Sequence, residues 1–444
     1  MTSDACAATS AERTREVTAI STMPARSPLR IRPVSLIAPF PALRPAPGRA
    51  PDVIAPPYDV LSSDEARVRA AGRPWSFLHV SKPEIDLAPD IDVHSPIVYA
   101  KARENLDRML REGVLVRDAT PALYVYRITS GPHVQTGLVA GASVAAYDGN
   151  RILRHELTRP DKEDDRVKQI EAVAAQTGPV LLAYPTAPAV DAMLASVAAG
   201  TPDADATADD GVRHTLWRVA STETQRALCE AFDVMPSLYI ADGHHRSAAA
   251  SRVAAARRDA GCTADDPSQR FLVVAFPHHS LVILPYNRLV KDLNGRSAAA
   301  FLEAVSANFE VESSGSPVEP DRPATFGLYL TGKWFRLALR AGLEAETDPV
   351  ERLDVSLLAR YLLEPLLDIR DARRDPRIDF VGGARGVAEL AKRVDSGEMA
   401  AAFSMYPTQL DDLMQVADAD RIMPPKSTWF EPKLADGLVS LPLD

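Results

Sequence analysis

A chain of 444 residues with 46% hydrophobic and 25% charged side chains has the length of two or three domains and an ordinary globular composition. A net charge of −10 offers a polyanion no overall attraction, and an aromatic content of 6% leaves few stacking platforms, so nucleic acid is not an expected partner. No apolar run of about 18 residues is present to span a membrane, and the three cysteines, Cys6, Cys229 and Cys262, lack the spacing of a zinc site or a disulfide framework.

Residues 1–28 mix small, polar and charged side chains without an apolar stretch. They read as a disordered leader without an export signal, and with the cysteine usage they point to the cytoplasm. The proline-rich segment from Leu29 excludes long strands. Within it, "APPYDVLS" forms a rigid turn carrying Tyr58 and Asp59, followed by a helix start at Ser62–Ser63–Asp64. Pro74 to Glu84 reads as a strand running into a loop, and "SPIVYAKARENLDRMLREG" as a helix ended by Gly113. Two strands, "PALYVYRITSG" and "VQTGLVAGASVAAYDG", flank a turn at Gly131–Pro132. A polar loop then leads into a helix ending near Gly178, and "PVLLAYP" is a further strand.

The acidic segment 200–212 reads as a surface loop, "VRHTLWRVA" as a strand and "TETQRALCEAFDVM" as a helix. Leu238 to Ala241 is a buried strand, Asp242 to Arg246 a turn, and Ser247 to Gly261 a helix. Beyond it, "RFLVVAF" and "HSLVILPYNRLV" are strands, "TFGLYLTGKWFRLALR" is a hairpin turning at Thr331–Gly332–Lys333, and "DVSLLARYLLEPLL" is an amphipathic helix. The remainder alternates strand and helix. Such a mixture predicts an α+β (mixed α/β) protein, divided into regions 29–185, 186–295 and 296–444.

Two polar constellations carry the chemistry. In "ADGHHRSAA", Gly243 supplies the positive backbone angle of a tight strand-to-helix turn. Asp242 is placed to cap the helix or hold a hydrated metal ion. His244, His245 and Arg246 sit where helix N–H groups favour an anion, and Arg246 would grip phosphate through two donors. In "RHELTRPDKEDDRVKQ", His155 and Glu156 end a strand-like run, and Glu156 is the candidate general base. Lys162 and Arg166, four apart on one helix face, would neutralise phosphate charge. Weaker candidates are Tyr58 with Asp59, the pair His278–His279, Asn287 with Arg288, and Lys426, Ser427, Thr428 and Lys433 in "MPPKSTWFEPKLADGLV". Walker-type loops, the dinucleotide fingerprint, the nucleophile elbow and the H-E-x-x-H helix are all missing from the sequence.

"APPYDVL", "RHELT…DKEDDR", "ADGHHR", "LPYNRLV" and "MPPKSTWFEPK…GLV", in this order, resemble the domain-of-unknown-function 1015 family from about Leu29 to Leu443. "DGHHR" also resembles the nucleotide motif of ParB/sulfiredoxin-like proteins, a group that includes free serine kinases. That resemblance implies a ParB/sulfiredoxin-like nucleotide-binding region at 186–295 within a larger mixed-sheet protein. Gly243, His244, His245 and Arg246 would then face nucleotide phosphates, with Asp242 positioning Mg²⁺ or the substrate hydroxyl. Sulfiredoxin's cysteine has no counterpart in this turn.

The expected activity is a Mg²⁺-dependent phosphotransferase acting on a small hydroxylated metabolite, such as free serine, with ATP or ADP as donor. Catalysis would rest on Glu156, His155, Asp242 and His244, and phosphate binding on Gly243, His245, Arg246, Lys162 and Arg166. Two alternatives use the same cleft: hydrolysis of a small phosphoester such as phosphoserine, and nucleotide sensing without turnover. Acceptor, donor and oligomeric state are not readable from the residues, nor is whether "RHELT" and "DGHHR" meet.

Overall fold

The computed structural model describes residues 35–343 and 347–444, and the expected leader at 1–28 lies outside the described residues. Two sheets organise them. The larger has nine strands in the order Ile152–Leu153, Leu238–Asp242, Val180–Tyr184, Arg270–Pro277, His133–Ser143, Tyr124–Ser130, Arg213–Arg218 and Ala204–Thr207, with Ile37–Ala38 also paired to His133–Ser143. Pairing is parallel between Leu238–Asp242 and Ile152–Leu153 and between Arg270–Pro277 and Val180–Tyr184, and antiparallel elsewhere. Val180–Tyr184 is buried along its whole length and Phe271–Pro277 likewise, as expected of central strands covered on both faces.

The second sheet is antiparallel throughout, in the order Phe309–Ser314, Lys333–Leu339, Thr325–Leu330, Ala401–Met405, Tyr286–Val290 and Ile378–Gly382. The α+β (mixed α/β) expectation therefore describes the fold. Strands from both sides of residue 185 share the larger sheet, so that expected division falls inside one layer. The C-terminal run returns to the N-terminal half: Leu43 pairs with Ser440, Ala55 with Asp436, and Leu441–Pro442 with Ala175–Gln176.

Several expected elements stand as read. Ser62 caps the helix Ser63–Ala70 in a reciprocal box with Glu65, Pro96–Arg111 is helical, and the hairpin turns at Thr331 and Gly332, both with positive φ. Others differ. The run expected as a strand at 74–84 holds the short helix Leu78–Ser81 and the turn Pro83–Asp86, because Phe77, Leu78 and Val80 all bury against the helix Pro96–Arg111 and its neighbours. In the acidic segment, Ala204 and Ala206 are buried and alternate with exposed Asp205 and Thr207, so an edge strand forms where a loop was expected. Val144–Asp148, expected to continue a strand, is a helix capped by the Ser143 side chain. Pro188–Ala198, not anticipated, buries Val190, Leu194 and Ala198 at helical spacing.

Among the described residues, no helix is long and apolar enough to cross a membrane.

Candidate active site

The site begins with strand pairing at one edge of the larger sheet. Ile152 and Leu153 pair in parallel with Leu238 and Tyr239. Parallel partners leave a sheet at the same end, so "RHELT" and "DGHHR" emerge side by side. The helix after "DGHHR" starts at His244, not Ser247, and Gly243 takes φ 101° at its N-cap. The expected turn at 242–246 is thus shorter: His244, His245 and Arg246 form the first helical turn of His244–Asp259. The main-chain N–H groups of such a turn have no helical acceptor. Helix Pro160–Val173 packs on this helix and is tied to it by Arg252, 3.3 Å from Glu163 and 2.7 Å from Asp164.

The rings of His155 and His244 meet edge to face, 4.5 Å apart between centroids. The His155 main-chain N–H donates to His244 Nε2 over 3.5 Å, and His244 Nδ1 lies 3.7 Å from Glu156 Oε2. Both histidines are buried. Burial pushes the His155 imidazole down to about 4 and holds His244 well below its usual range, so both are neutral at physiological pH. Glu156 keeps 42% of its side chain exposed, yet its recess removes enough water to raise its pKa against the pull of Lys426. His245 Nε2 accepts from the N–H of Arg159, at the N-cap of the neighbouring helix, and burial lowers its pKa.

Asp242 and Arg246 form a second layer. Burial disfavours the Asp242 carboxylate, but Lys433 at 3.1 Å and Arg246 at 3.7 Å outweigh it and hold the carboxyl far below the usual range. The carboxylate expected to hold a metal ion therefore already faces two cations. Arg246 is 9% exposed and turns back beneath the turn: it donates to the Pro179 carbonyl and lies 3.8 Å from Asp59. A Cβ on Gly243 would stand 3.1 Å from Arg246 Nε and 3.3 Å from Val180 Cα, so the close approach as well as the φ angle calls for glycine.

Arg166 pairs with Asp165 at 2.5 Å and stacks 3.8 Å over the Tyr58 ring. Burial pushes the Tyr58 phenol up to about 12. Tyr58, Arg166, Gly178, Arg246 and Asp436 line a cavity of about 30 Å³ behind the turn. Arg166 therefore joins the group, whereas Lys162 is exposed and reaches it only as a charge opposing protonation of His245. A larger recess, about 180 Å³, is lined by Arg69, Arg73, Trp429, Glu431 and Lys433.

Of the weaker candidates, Lys433 enters the site and Lys426 acts on Glu156, lying 5.4 Å over the Tyr286 ring. Ser427 bonds within its own turn, donating to the Pro424 carbonyl. Asn287 accepts from the Met405 N–H, and buried Arg288 donates to the Lys426 carbonyl, so this pair anchors backbone. His278 and His279 form a separate pair, 5.6 Å apart, on a short turn. Sequence reasoning missed Asp436, an isolated acid in "KLADGLV", and Arg373, whose charge also acts on Glu156.

The family model of DUF1015, a protein family of unknown function, matches residues 37–356. The chain belongs to this family. The match stops short of Lys426, Lys433 and Asp436, which the fold brings to the surroundings of Glu156, Asp242 and Arg246. Among solved structures, a conserved hypothetical protein from Pyrococcus furiosus aligns at 15% identity over 68% of this chain and 93% of its own, with a TM-score of 0.31. A free serine kinase in complex with AMP aligns at 14% identity over 66% and 86%, with a TM-score of 0.32. C-terminally truncated SbnI from Staphylococcus aureus aligns at 12% identity over 68% and 87%, with a TM-score of 0.36. At these values the likeness carries no argument about chemistry. Among curated proteins no sequence match is found.

Proposed function

We propose that this DUF1015 chain is a phosphotransferase that moves a phosphoryl group from ATP or ADP, with Mg²⁺, to the hydroxyl of a small metabolite. The observation that carries this reading is the meeting of Glu156 with the first turn of helix His244–Asp259, at 3.7 Å from His244. A carboxylate with a raised pKa suits a general base, and a helix N-terminus opening on a glycine suits phosphate oxygens.

Glu156 takes the proton of the acceptor hydroxyl as its oxygen bonds to the terminal phosphorus. The bond from that phosphorus to the bridging oxygen breaks, and the shortened nucleotide leaves with the electron pair. The N–H groups of the first turn, with Lys433 and Lys162 nearby, offset the phosphate charge. Arg246 is engaged by Pro179, Asp59 and Asp242, and so shapes the turn more than it reaches outward. Bound Mg²⁺ would supply further charge neutralisation on the phosphates.

A ³¹P NMR time course with protein, Mg²⁺ and ATP or ADP, with and without serine, tests the proposal. A new phosphomonoester signal that requires serine supports it with serine as acceptor. One observation favours nucleotide sensing instead: Asp242, the carboxylate placed to hold Mg²⁺, is already engaged by Arg246 and Lys433. Tight nucleotide binding with no turnover on any hydroxylated acceptor would select that reading. Release of inorganic phosphate from phosphoserine without nucleotide would select the hydrolase.

A further inference from the structure

His155 is 2% exposed, and among the described residues neither of its ring nitrogens makes a hydrogen bond of good geometry, the Ile240 backbone being near enough only to act on its charge. A dry imidazole nitrogen costs about 1–3 kcal/mol when nothing pairs with it, and at most one of the two is near a backbone acceptor. Packing offers no compensation that explains a histidine here, because a leucine or phenylalanine would fill the space without that cost. The neighbouring His244, 5% exposed, receives only the long 3.5 Å bond from the His155 N–H, and its 3.7 Å approach to Glu156 exceeds hydrogen-bond reach. Three potential ligands therefore face one another with their bonding capacity largely unused.

One ligand atom from each of His155, Glu156 and His244 lies within 4.8 Å of the other two. We propose that these three residues form a binding site for a divalent transition-metal ion of the zinc or cobalt type. Two imidazoles and one carboxylate are a donor set that selects such ions over Mg²⁺ and Ca²⁺, which prefer oxygen alone. Ligands at about 2.1 Å in a tetrahedral arrangement stand roughly 3.4 Å apart, so closure needs side-chain adjustments of about 1 Å. Glu156 opens to solvent, which leaves an access route and a fourth position for water. The site is distinct from Asp242, whose oxygens face Lys433 and Arg246. It goes beyond the phosphotransferase reading and stands without it. With the ion bound, Glu156 is a ligand and cannot also take a proton, so occupancy and its role as base exclude each other.

The test uses the full chain, stripped with a chelator and titrated with Zn²⁺ against a chromophoric competitor, and in parallel with Co²⁺ followed by visible absorption. The expected result is one equivalent bound, Co²⁺ bands without a thiolate charge-transfer band, and a loss of affinity of roughly tenfold or more in His155→Ala, His244→Ala and Glu156→Gln. His278→Ala, in the other histidine pair, should leave binding unchanged. Because His155 and His244 are buried, circular dichroism checks their folding, and partly exposed Glu156→Gln decides the matter if either fails to fold. Absence of binding overturns the proposal, as does a Zn²⁺ site that survives Glu156→Gln with unchanged affinity or whose Co²⁺ form shows thiolate ligation.

Discussion

Lys433 stands 191 positions from Asp242 along the chain, yet its ammonium lies 3.1 Å from that carboxylate. The contact ties the C-terminal run to the "DGHHR" turn, and each charge strengthens the other: Asp242 is driven down and Lys433 up, in both cases against burial. Removing Lys433 leaves Asp242 with only the longer Arg246 contact in a poorly hydrated place. Lys433→Met is expected to destabilise the fold by about 1–3 kcal/mol, read as a lower urea midpoint with an unchanged slope. Adding Asp242→Asn should recover part of that loss. Strictly additive losses would show that the two groups do not interact.

Gly243 has φ 101°, and Arg246 folds back across the space a Cβ would take. Gly243→Ala is expected to cost about 1–3 kcal/mol, visible as a fall in Tm. Gly211 also has a positive φ but nothing within 4 Å of its added Cβ, so Gly211→Ala should cost less. Equal losses at the two positions would mean that backbone conformation alone, without the Arg246 contact, governs the turn.

Glu156→Gln keeps the shape of the side chain and removes the base. If phosphoryl transfer is the reaction, its rate should fall roughly 10²–10⁴-fold while nucleotide affinity, measured by calorimetry, stays within a factor of about two. An equal loss of rate and affinity would assign Glu156 to binding.

Asp436 is 1% exposed, and burial raises its carboxyl to about 7, with Arg246 and Arg166 offsetting only part of the effect. The folded state then holds this proton to a higher pH than the unfolded chain, whose aspartates titrate near ~4. Between about pH 4 and pH 7 this group binds more proton in the native state, so its own contribution to stability falls as pH rises across that window and levels off above it, while buried His155 and His244, held down by folding, contribute with the opposite sign. Asp436→Asn should remove this contribution, read as the pH dependence of the wild-type minus variant difference in urea unfolding. A difference between wild type and Asp436→Asn that does not change with pH across this window would show that the carboxyl ionises at its ordinary value.

Much of the local structure was legible in the residues because it depends on near neighbours. The cap at Ser62, the hairpin turn at Thr331–Gly332 and the strand-to-helix passage through Gly243 each follow from short-range preferences. Where local signals were weak, tertiary burial overrode them. Phe77, Leu78 and Val80 look like strand residues but form a helical turn over a buried cluster, and small alternating alanines at 204 and 206 pair at a sheet edge despite their acidic surroundings. Asp436 could not be found at all, since its role depends on the pairing of Ala55 with Asp436 across the molecule.

The sequence by itself determined the mixed α/β class, the family and the two polar motifs, because residue type, period and turn chemistry are local properties. Only the tertiary structure decided that Ile152–Leu153 pairs in parallel with Leu238–Tyr239, which sets His155 and Glu156 against His244. It also decided that Arg246 points inward and that Lys433 and Asp436 complete the surroundings. Those outcomes follow from long-range hydrogen bonding and from the cost of burying a charge without a partner, and neither can be evaluated before the chain has folded back on itself.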